Sequence, residues 1–307
     1  MPPRSRALKY DALLALTAAI WGFAFVAQRA GMAFVGPFTY NGIRFGLGTL
    51  VLVPFLLHRR SRAAQGPTTA PALSSAWKGS LIAGLVLFAG ASLQQGGLVY
   101  TSAGKAGFIT GLYVVLVPIL TFLYRKPTPG PHLAAAFIAA SGLYLLSVSE
   151  ELTIGRGDLL VLAAAFAWAI HVLVIARFAP DIDPLLLAAR QFAICSILSL
   201  AVSLLFETTT WANVRSAAIP ILYGGFLSVG IAYTLQVVAQ RHAPPTHAVI
   251  ILSLEAAFGA LGGAWLLHER LTARELVGCA LMLNAVIVSQ LGGGRRSDLP
   301  STIEGRP

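Results

Sequence analysis

Apolar residues occur in long stretches along this chain, and most charged residues lie in the links between them. Each stretch holds about 20 mostly apolar residues, the number that a helix needs to cross the hydrocarbon core of a bilayer. Ten such stretches are predicted, at roughly 11–28, 38–57, 79–100, 105–124, 131–149, 158–178, 184–206, 217–239, 245–267 and 274–292.

The pattern inside each stretch predicts a helix. Backbone polar groups find no water in lipid, so a spanning segment must be a helix or part of a closed barrel. Barrel strands alternate strictly between apolar and polar residues, and these stretches do not. We therefore expect an all-α membrane protein with ten transmembrane helices and no separate soluble domain. The low charged fraction of 11% agrees, because soluble proteins average about 25%.

Positive charge is distributed unequally between alternate links. With a cytoplasmic N-terminus, the cytoplasmic segments hold thirteen Lys and Arg residues and the opposite segments hold six. This bias follows the positive-inside rule and predicts both termini in the cytoplasm, with the protein in the inner (plasma) membrane. The net charge of +10 is explained by this topology, so no nucleic-acid partner is expected.

The cysteines and the chain ends carry little chemistry. Cys195 and Cys279 lie within apolar stretches, which indicates small core residues rather than a disulfide. The first apolar stretch is too long for a signal peptide and is expected to be the first helix. Residues 303–306 match a protease-cleavage site, so we expect no function from 301–307.

The two halves of the chain resemble each other at a period near 140–147 residues. Residues 18–23 around Trp21 resemble residues 165–170 around Trp168, and both Arg44 and Arg190 lie early in the second stretch of their half. Five helices per half is an odd number, so the second half would cross the membrane in the opposite direction. We expect a first repeat at 1–149, an inverted second repeat at 158–292 and a cytoplasmic tail at 293–307. Inverted repeats are typical of secondary transporters, whose substrate site lies between the halves.

Glu255 lies in the middle of the ninth stretch. Ionisable residues inside a membrane are costly and are functional candidates by default. Glu255 could bind a substrate amine, carry a coupling proton, or act as a structural carboxyl that is hydrogen-bonded to another helix. The matching position in the first half is near Val115, so any role of Glu255 would be asymmetric.

Further polar and aromatic residues share faces of the predicted helices. They can line a cavity for a small amphipathic solute or form hydrogen bonds between helices. Together with Glu255, nine residues are predicted to bind the substrate: Trp21, Phe25, Gln94, Tyr113, Trp168, His171, Tyr233, Gln236 and Glu255 itself. Their stretches, the first, third, fourth, sixth, eighth and ninth, would form the cavity.

Arg44 and Arg190 each lie about two turns into a helix. Either arginine can extend its charged head to the lipid headgroups. The alternative is a gating ion pair.

Several catalytic patterns are absent from the sequence. It contains no GxxxxGK[ST] phosphate loop and no HExxH, GxSxG or CxxC motif. We therefore expect neither ATP hydrolysis nor a metal or cofactor. A membrane-embedded enzyme would need a cluster of reactive side chains, for which only His171 and Glu255 are candidates.

The chain resembles the EamA-type transporters of the drug/metabolite transporter superfamily over about residues 10–292. The resemblance rests on Trp21-Gly22, Arg44-Phe45, the Tyr-Thr-Ser-Ala-Gly segment at 100–104, Ser-Leu-Glu-Ala at 253–256 and Leu-His-Glu-Arg-Leu-Thr at 267–272. Ala256 replaces a usual proline, which puts a kink there in doubt, and His268 replaces a common glycine. The resemblance implies ten helices in two inverted repeats, cytoplasmic termini and export of small metabolites, and it favours YddG-like amino-acid exporters as the type.

These observations predict an exporter of small metabolites, in particular amino acids including aromatic ones, that works by alternating access. Without an ATP site, its energy must come from the solute gradient or from protons. The expected partners are the small-molecule substrate, membrane lipid and, if transport is proton-coupled, protons. A monomer is compatible with the sequence. The alternatives are a drug or nucleoside exporter of the same superfamily and a membrane-embedded enzyme.

Overall fold

A computed structural model describes residues 4–63, 73–123, 128–147, 154–266 and 272–294, and regular structure within these ranges is helical throughout. Among the described residues, eight helices are long and apolar enough to cross a membrane. Two shorter apolar helices, Gly130–Leu146 and Pro245–Leu261, coincide with the other two predicted stretches. The chain is therefore a multi-pass helical membrane protein.

The described chain contains fourteen α-helices and one π-helix. They are α1 (Arg4–Gly31), α2 (Pro37–Ala63), α3 (Leu73–Leu98), α4 (Ala103–Gly111), α5 (Tyr113–Leu123), α6 (Gly130–Ser147), α7 (Arg156–Phe178), α8 (Pro184–Phe206), α9 (Trp211–Ser216), α10 (Ala218–Leu222), the π-helix (Tyr223–Tyr233), α11 (Thr234–Gln240), α12 (Pro245–Leu252), α13 (Glu255–Leu266) and α14 (Ala273–Gly294).

Some predicted features lie outside the described residues. These are His268 with the rest of the 267–271 segment, residues 148–153 at the boundary between the two predicted repeats, and the tail from 295 onward. Cys195 and Cys279 are described, and both are buried and free as predicted.

The ninth predicted stretch is broken between α12 and α13 without a proline. The Leu254 N–H donates to the Ile251 carbonyl at 3.1 Å and the Ala256 N–H donates to the Ser253 carbonyl at 3.2 Å. These are i→i−3 bonds, which tighten the chain relative to an α-helix. The Ser253 hydroxyl also donates to the Ile250 carbonyl at 2.8 Å. The break is therefore present although Ala256 stands in place of proline.

The fourth predicted stretch is broken in the same way at Leu112, between α4 and α5. Tyr113 is the first residue after this break, and Glu255 is the first residue after the break between α12 and α13. Each stands ten residues after the start of its broken helix, α4 or α12. Tyr113 therefore holds the position in α5 that Glu255 holds in α13, two residues from Val115, near which the sequence predicted the matching position.

The helices of the two halves interleave. Helix α1 packs against the π-helix, α11, α12 and α13, while α7 packs against α3, α4 and α5. Helix α2 contacts α8 and the π-helix, α8 contacts α3, and α6 packs along α14. The cavity described below lies among these contacts.

The crossing of α1 and α13 is close because Gly22 lacks a side chain. A Cβ atom on Gly22 would lie 2.6 Å from the carbonyl oxygen of Glu255 and 2.7 Å from the amide nitrogen of Gly259. Both of these are backbone atoms, which cannot move aside without shifting a helix. The crossing therefore determines where the backbone of Glu255 lies relative to α1.

Candidate functional site

A cavity lies among α1, α2, α3, α4, α5, α7, the π-helix, α11, α12 and α13. Aromatic side chains and a few polar groups line it, a combination that is typical of small-molecule sites. All nine residues predicted to bind a substrate lie on its wall, and their role in binding stays a prediction. The described lining residues are Trp21, Phe25, Gln28, Arg44, Gln94, Thr110, Tyr113, Trp168, His171, Val172, Ser228, Tyr233, Gln236, Leu252 and Glu255.

One side of the cavity is aromatic. The ring centroid of Tyr233 lies 4.5 Å from that of Trp21 and 6.1 Å from that of Trp168. The Trp21 indole N–H donates to the Ser228 carbonyl at 3.3 Å, which orients this ring. Tyr233 ends the π-helix, and such segments are frequent at functional sites. The rings offer a flat apolar group a surface to stack against.

The amide groups on the wall also join helices. The Gln94 Oε1 accepts from the Trp168 indole N–H at 2.7 Å and from the Thr110 hydroxyl at 3.3 Å. The Gln94 Nε2 donates to the Gln28 Oε1 at 3.2 Å. Gln94 thus links α3 to α1, α4 and α7. The sequence suggested that such residues either line a cavity or form hydrogen bonds between helices, and Gln94 does both.

Glu255 and Gln236 supply oxygen acceptors to the cavity. Glu255 is 3% exposed, and its Oε1 accepts from the Tyr113 hydroxyl at 3.1 Å. Gln236 is 2% exposed, and its Oε1 has no donor among the described residues. His171 is also buried, with its Nε2 2.9 Å from the Gln191 Oε1. A ligand with N–H groups would satisfy the free acceptor of Gln236.

Arg44 lies inside the bundle, so the interpretation that its charged head extends to the lipid headgroups is wrong. It is only 2% exposed, lines the cavity, and its Nε donates to the Asn41 Oδ1 at 3.0 Å. Its guanidinium carbon lies 4.7 Å from the Phe45 ring centroid. A Cβ atom on Gly224 would lie 3.3 Å from the Arg44 Cδ, so this glycine of the π-helix leaves the side chain room.

The described residues contain no carboxylate within 4.0 Å of the Arg44 guanidinium. The ion pair of Arg44 that the sequence suggested as a gate is therefore not formed in this structure. Arg190 is not on the cavity wall, and its guanidinium carbon lies 4.1 Å from the Trp77 ring centroid. Its predicted gating role stays untested.

Thr110 and Ser228 also line the cavity, although neither was predicted from the sequence. Both are short and hydroxylated, and such residues are common wherever membrane helices pack closely. The position of Thr110 three residues before Tyr113 was the available signal, since these two residues share a helix face.

Comparison with known proteins agrees with the membrane architecture. Residues 8–148 and 155–290 each match the model of a family described as EamA-like transporters. An uncharacterised transporter of Archaeoglobus fulgidus is 32% identical over 284 residues, which cover 92% of this chain and 85% of that protein.

More distant relatives cover most of the chain as well. The uncharacterised transporter YoaV of Bacillus subtilis is 22% identical and covers 90% of this chain and 95% of its own length. A WAT1-related chloroplastic protein of Arabidopsis thaliana is 24% identical over 87% of this chain and 66% of its own. A solved crystal structure, 20% identical, superposes with a TM-score of 0.76 over 97% of this chain and 100% of its own, which supports the fold alone.

Proposed function

The chain belongs to the EamA-like transporter family, and on that premise we propose that it exports amino acids, including aromatic ones. That it transports a small molecule across a membrane follows from the family. The choice of amino acids rests on one observation: the same cavity presents a buried guanidinium, Arg44, and a buried carboxyl, Glu255, and no described residue forms an ion pair with either.

An amino acid zwitterion would bring a group of opposite charge to each of these two side chains. Its carboxylate would accept hydrogen bonds from the Arg44 guanidinium, a geometry that favours paired bonds. Its ammonium group would donate to Glu255 and to the free Oε1 of Gln236. An aromatic side chain would then lie against Trp21 and Trp168. A charge buried without a partner is costly, so a ligand that supplies both counter-charges gains affinity from both.

We propose that transport proceeds by alternating access, either down the solute gradient or coupled to protons. Glu255 is either the partner of the ammonium group or the carrier of the coupling proton. Both roles use the same buried position and the same bond to Tyr113. They differ in whether transport responds to a pH gradient.

We also propose ten membrane spans in two inverted repeats, 1–149 and 158–292. The protein would lie in the inner (plasma) membrane with both termini in the cytoplasm. The helix contacts support the repeat. The first helix of the first half, α1, packs against α12 and α13 of the second half, and the first helix of the second half, α7, packs against α4 and α5 of the first. The contacts of α2 with the π-helix and of α8 with α3 correspond in the same way. The positive-inside bias supports the orientation.

A drug or nucleoside exporter is the second candidate, because Trp21, Trp168 and Tyr233 would stack on any flat solute. Nucleosides bring no carboxylate to Arg44, so the charge pattern favours amino acids. The enzyme alternative has less support, because relatives of the chain are named transporters and the hydrogen bonds of His171 and Glu255 go to separate partners, Gln191 and Tyr113.

Reconstitution into liposomes tests the proposal. We expect tryptophan to cross faster than in empty liposomes, and faster than tryptamine, which lacks the carboxylate, or indole-3-propionate, which lacks the amine. A labelled nucleoside and a cationic dye form the second arm of the panel, and each arm is run with and without a pH gradient. Tryptophan flux equal to that of empty liposomes would overturn the assignment to amino acids.

A further inference from the structure

Two polar clusters outside the cavity each join one half of the chain to the other. In the first, the Asp11 Oδ1 lies 2.8 Å from the His247 Nε2, and the His247 Nδ1 lies 2.7 Å from the Ser289 hydroxyl. The Gln290 Nε2 donates to the other Asp11 oxygen at 3.3 Å, and the His132 ring centroid lies 5.8 Å from that of His247. We call this cluster the Asp11 contact; it joins α1 to α12 and α14.

The second cluster, the Asp158 contact, joins α7 to α4. The Lys105 Nζ lies 2.6 Å from the Asp158 Oδ2, which also accepts from the Gly155 N–H at 2.8 Å. The Thr101 hydroxyl donates to the Asp158 Oδ1 at 2.7 Å. Asp158 is only 5% exposed, so this carboxylate is held by three donors in a largely buried place.

The two acidic residues occupy corresponding positions in the two halves. Asp11 stands ten residues before Trp21, and Asp158 stands ten residues before Trp168. Each of these tryptophans lines the cavity. Ten residues of helix rise about 15 Å, so each acid lies the same distance along its helix from the cavity.

Their partners correspond as well. Lys105 is the third residue of α4, and His247 is the third residue of α12. Tyr113 follows Lys105 by eight residues, and Glu255 follows His247 by eight. Both Tyr113 and Glu255 line the cavity. The two contacts are therefore built from matching positions, with the acid in one half and its partner in the other.

The two contacts lie at opposite ends of the bundle. At the C-terminal end of α1, the Gln28 carbonyl accepts from the Gln95 side chain of α3 at 3.2 Å. Thr101, which follows α3, is bonded to Asp158. The Asp158 contact is therefore near the C-terminal end of α1, while Asp11 is near its N-terminal end. The 17 residues from Asp11 to Gln28 rise about 26 Å, close to the thickness of a hydrocarbon core.

We propose that the Asp11 contact and the Asp158 contact are the two gate contacts of the transporter, one at each face of the membrane. This inference rests on the proposed function, since gates at both faces have a purpose only in a protein that opens to each face in turn. Both contacts are formed in this structure. Opening toward one face separates the two halves there, so it breaks the contact at that face and leaves the other intact.

Accessibility of the cavity from each face tests this proposal without any substrate. Ser228→Cys places a thiol on the cavity wall, in a protein whose native thiols are removed by Cys195→Ser and Cys279→Ser. A membrane-impermeant maleimide is added to one face of sealed, oriented vesicles. We expect Asp11→Asn to speed labelling on the order of fivefold from the face at the N-terminal end of α1, and Asp158→Asn to do so from the other face.

Two matched variants serve as controls. Asp181→Asn removes an ion pair with Arg177 inside one half, 3.2 Å long, and is expected to leave labelling from both faces unchanged. The double variant Lys105→Asp with Asp158→Lys reverses the charges of the pair and is expected to return labelling toward that of the parent protein. If Asp158→Asn does not fold, Lys105→Met takes its place, because Asp158 keeps its bonds to Thr101 and Gly155.

The proposal is overturned if both acid variants raise labelling from the same face, or if neither changes it in folded protein. Folding is checked by thermal unfolding in detergent. Since the label reports only access to the cavity, the outcome is independent of which solute is transported. A failure of tryptophan transport with opposite labelling shifts would thus refute the substrate assignment and leave the gates in place.

Discussion

At the scale of single residues, two buried ionisable groups on the cavity wall are the basis of the proposed amino-acid recognition. Arg44 keeps its Nε bonded to Asn41, and Glu255 accepts a bond from Tyr113, so each is oriented before a solute arrives. Fixed groups of this kind bind a zwitterion with less loss of side-chain freedom than flexible ones would. The residue-scale predictions concern these two side chains.

Arg44→Gln should reduce tryptophan transport about tenfold, because a hydrogen bond to a charged group contributes about 1.5–3 kcal/mol. Transport of tryptamine should change little, since that solute has no carboxylate. The measurement is initial flux of both solutes in liposomes. Arg215→Gln is the control, because Arg215 is exposed in α9, away from the cavity wall. Equal losses for both solutes in folded Arg44→Gln protein would contradict a role in carboxylate recognition.

Glu255→Gln should lower tryptophan flux, because it removes the ionisable carboxyl while keeping a side chain that can accept from Tyr113. If Glu255 carries the coupling proton, the variant also loses the response of flux to a pH gradient. Tyr113→Phe is the matched control, since it removes the hydrogen bond and leaves the carboxyl. Normal flux together with a normal pH response in Glu255→Gln would rule out both roles.

At the scale of helices, two interrupted elements bring the site together. The breaks between α4 and α5 and between α12 and α13 place Tyr113 and Glu255 at matching positions, where their side chains meet. The close crossing of α1 and α13 at Gly22 places the second break beside the backbone of α1. The position of Glu255 therefore depends on a helix contact as much as on its own chemistry.

Gly22→Ala should destabilise the protein by about 1–3 kcal/mol, because the added methyl group would overlap backbone atoms of α13. We expect a lower midpoint of thermal unfolding in detergent and slower transport. Gly96→Ala is the control, since a Cβ atom there meets nothing within 4 Å. An unchanged midpoint in Gly22→Ala would show that α1 and α13 can separate without cost.

At the scale of the whole molecule, the orientation in the membrane is open to a direct test. Ala33 and Asp181 are both exposed, in the links that follow α1 and α7. In protein without native cysteines, Ala33→Cys should react with an impermeant maleimide from outside the cell, and Asp181→Cys only after the membrane is permeabilised. The reverse pattern would invert the proposed topology, and labelling of both from outside would refute ten spans.

Much of the architecture was predictable because membrane insertion depends on local composition. A span must supply about 20 apolar residues in sequence, so the stretches are visible without knowledge of their neighbours. The nine predicted binding residues also share the cavity wall, since polar side chains within spans turn away from lipid. Thr110 and Ser228 were not predicted, because short hydroxylated residues are as common where membrane helices pack as on cavity walls.

By itself, the sequence determined the all-helical membrane class, the approximate spans and the stock of polar residues that lipid cannot accommodate. Only the tertiary structure decided that Arg44 faces the cavity, that the chain breaks before Glu255 without a proline, and that Asp11 meets His247. The physical reason is distance along the chain. The hydropathy of a span depends only on residues that are consecutive in the sequence. His247, the partner of Asp11, lies 236 residues away and reaches it only when the helices pack.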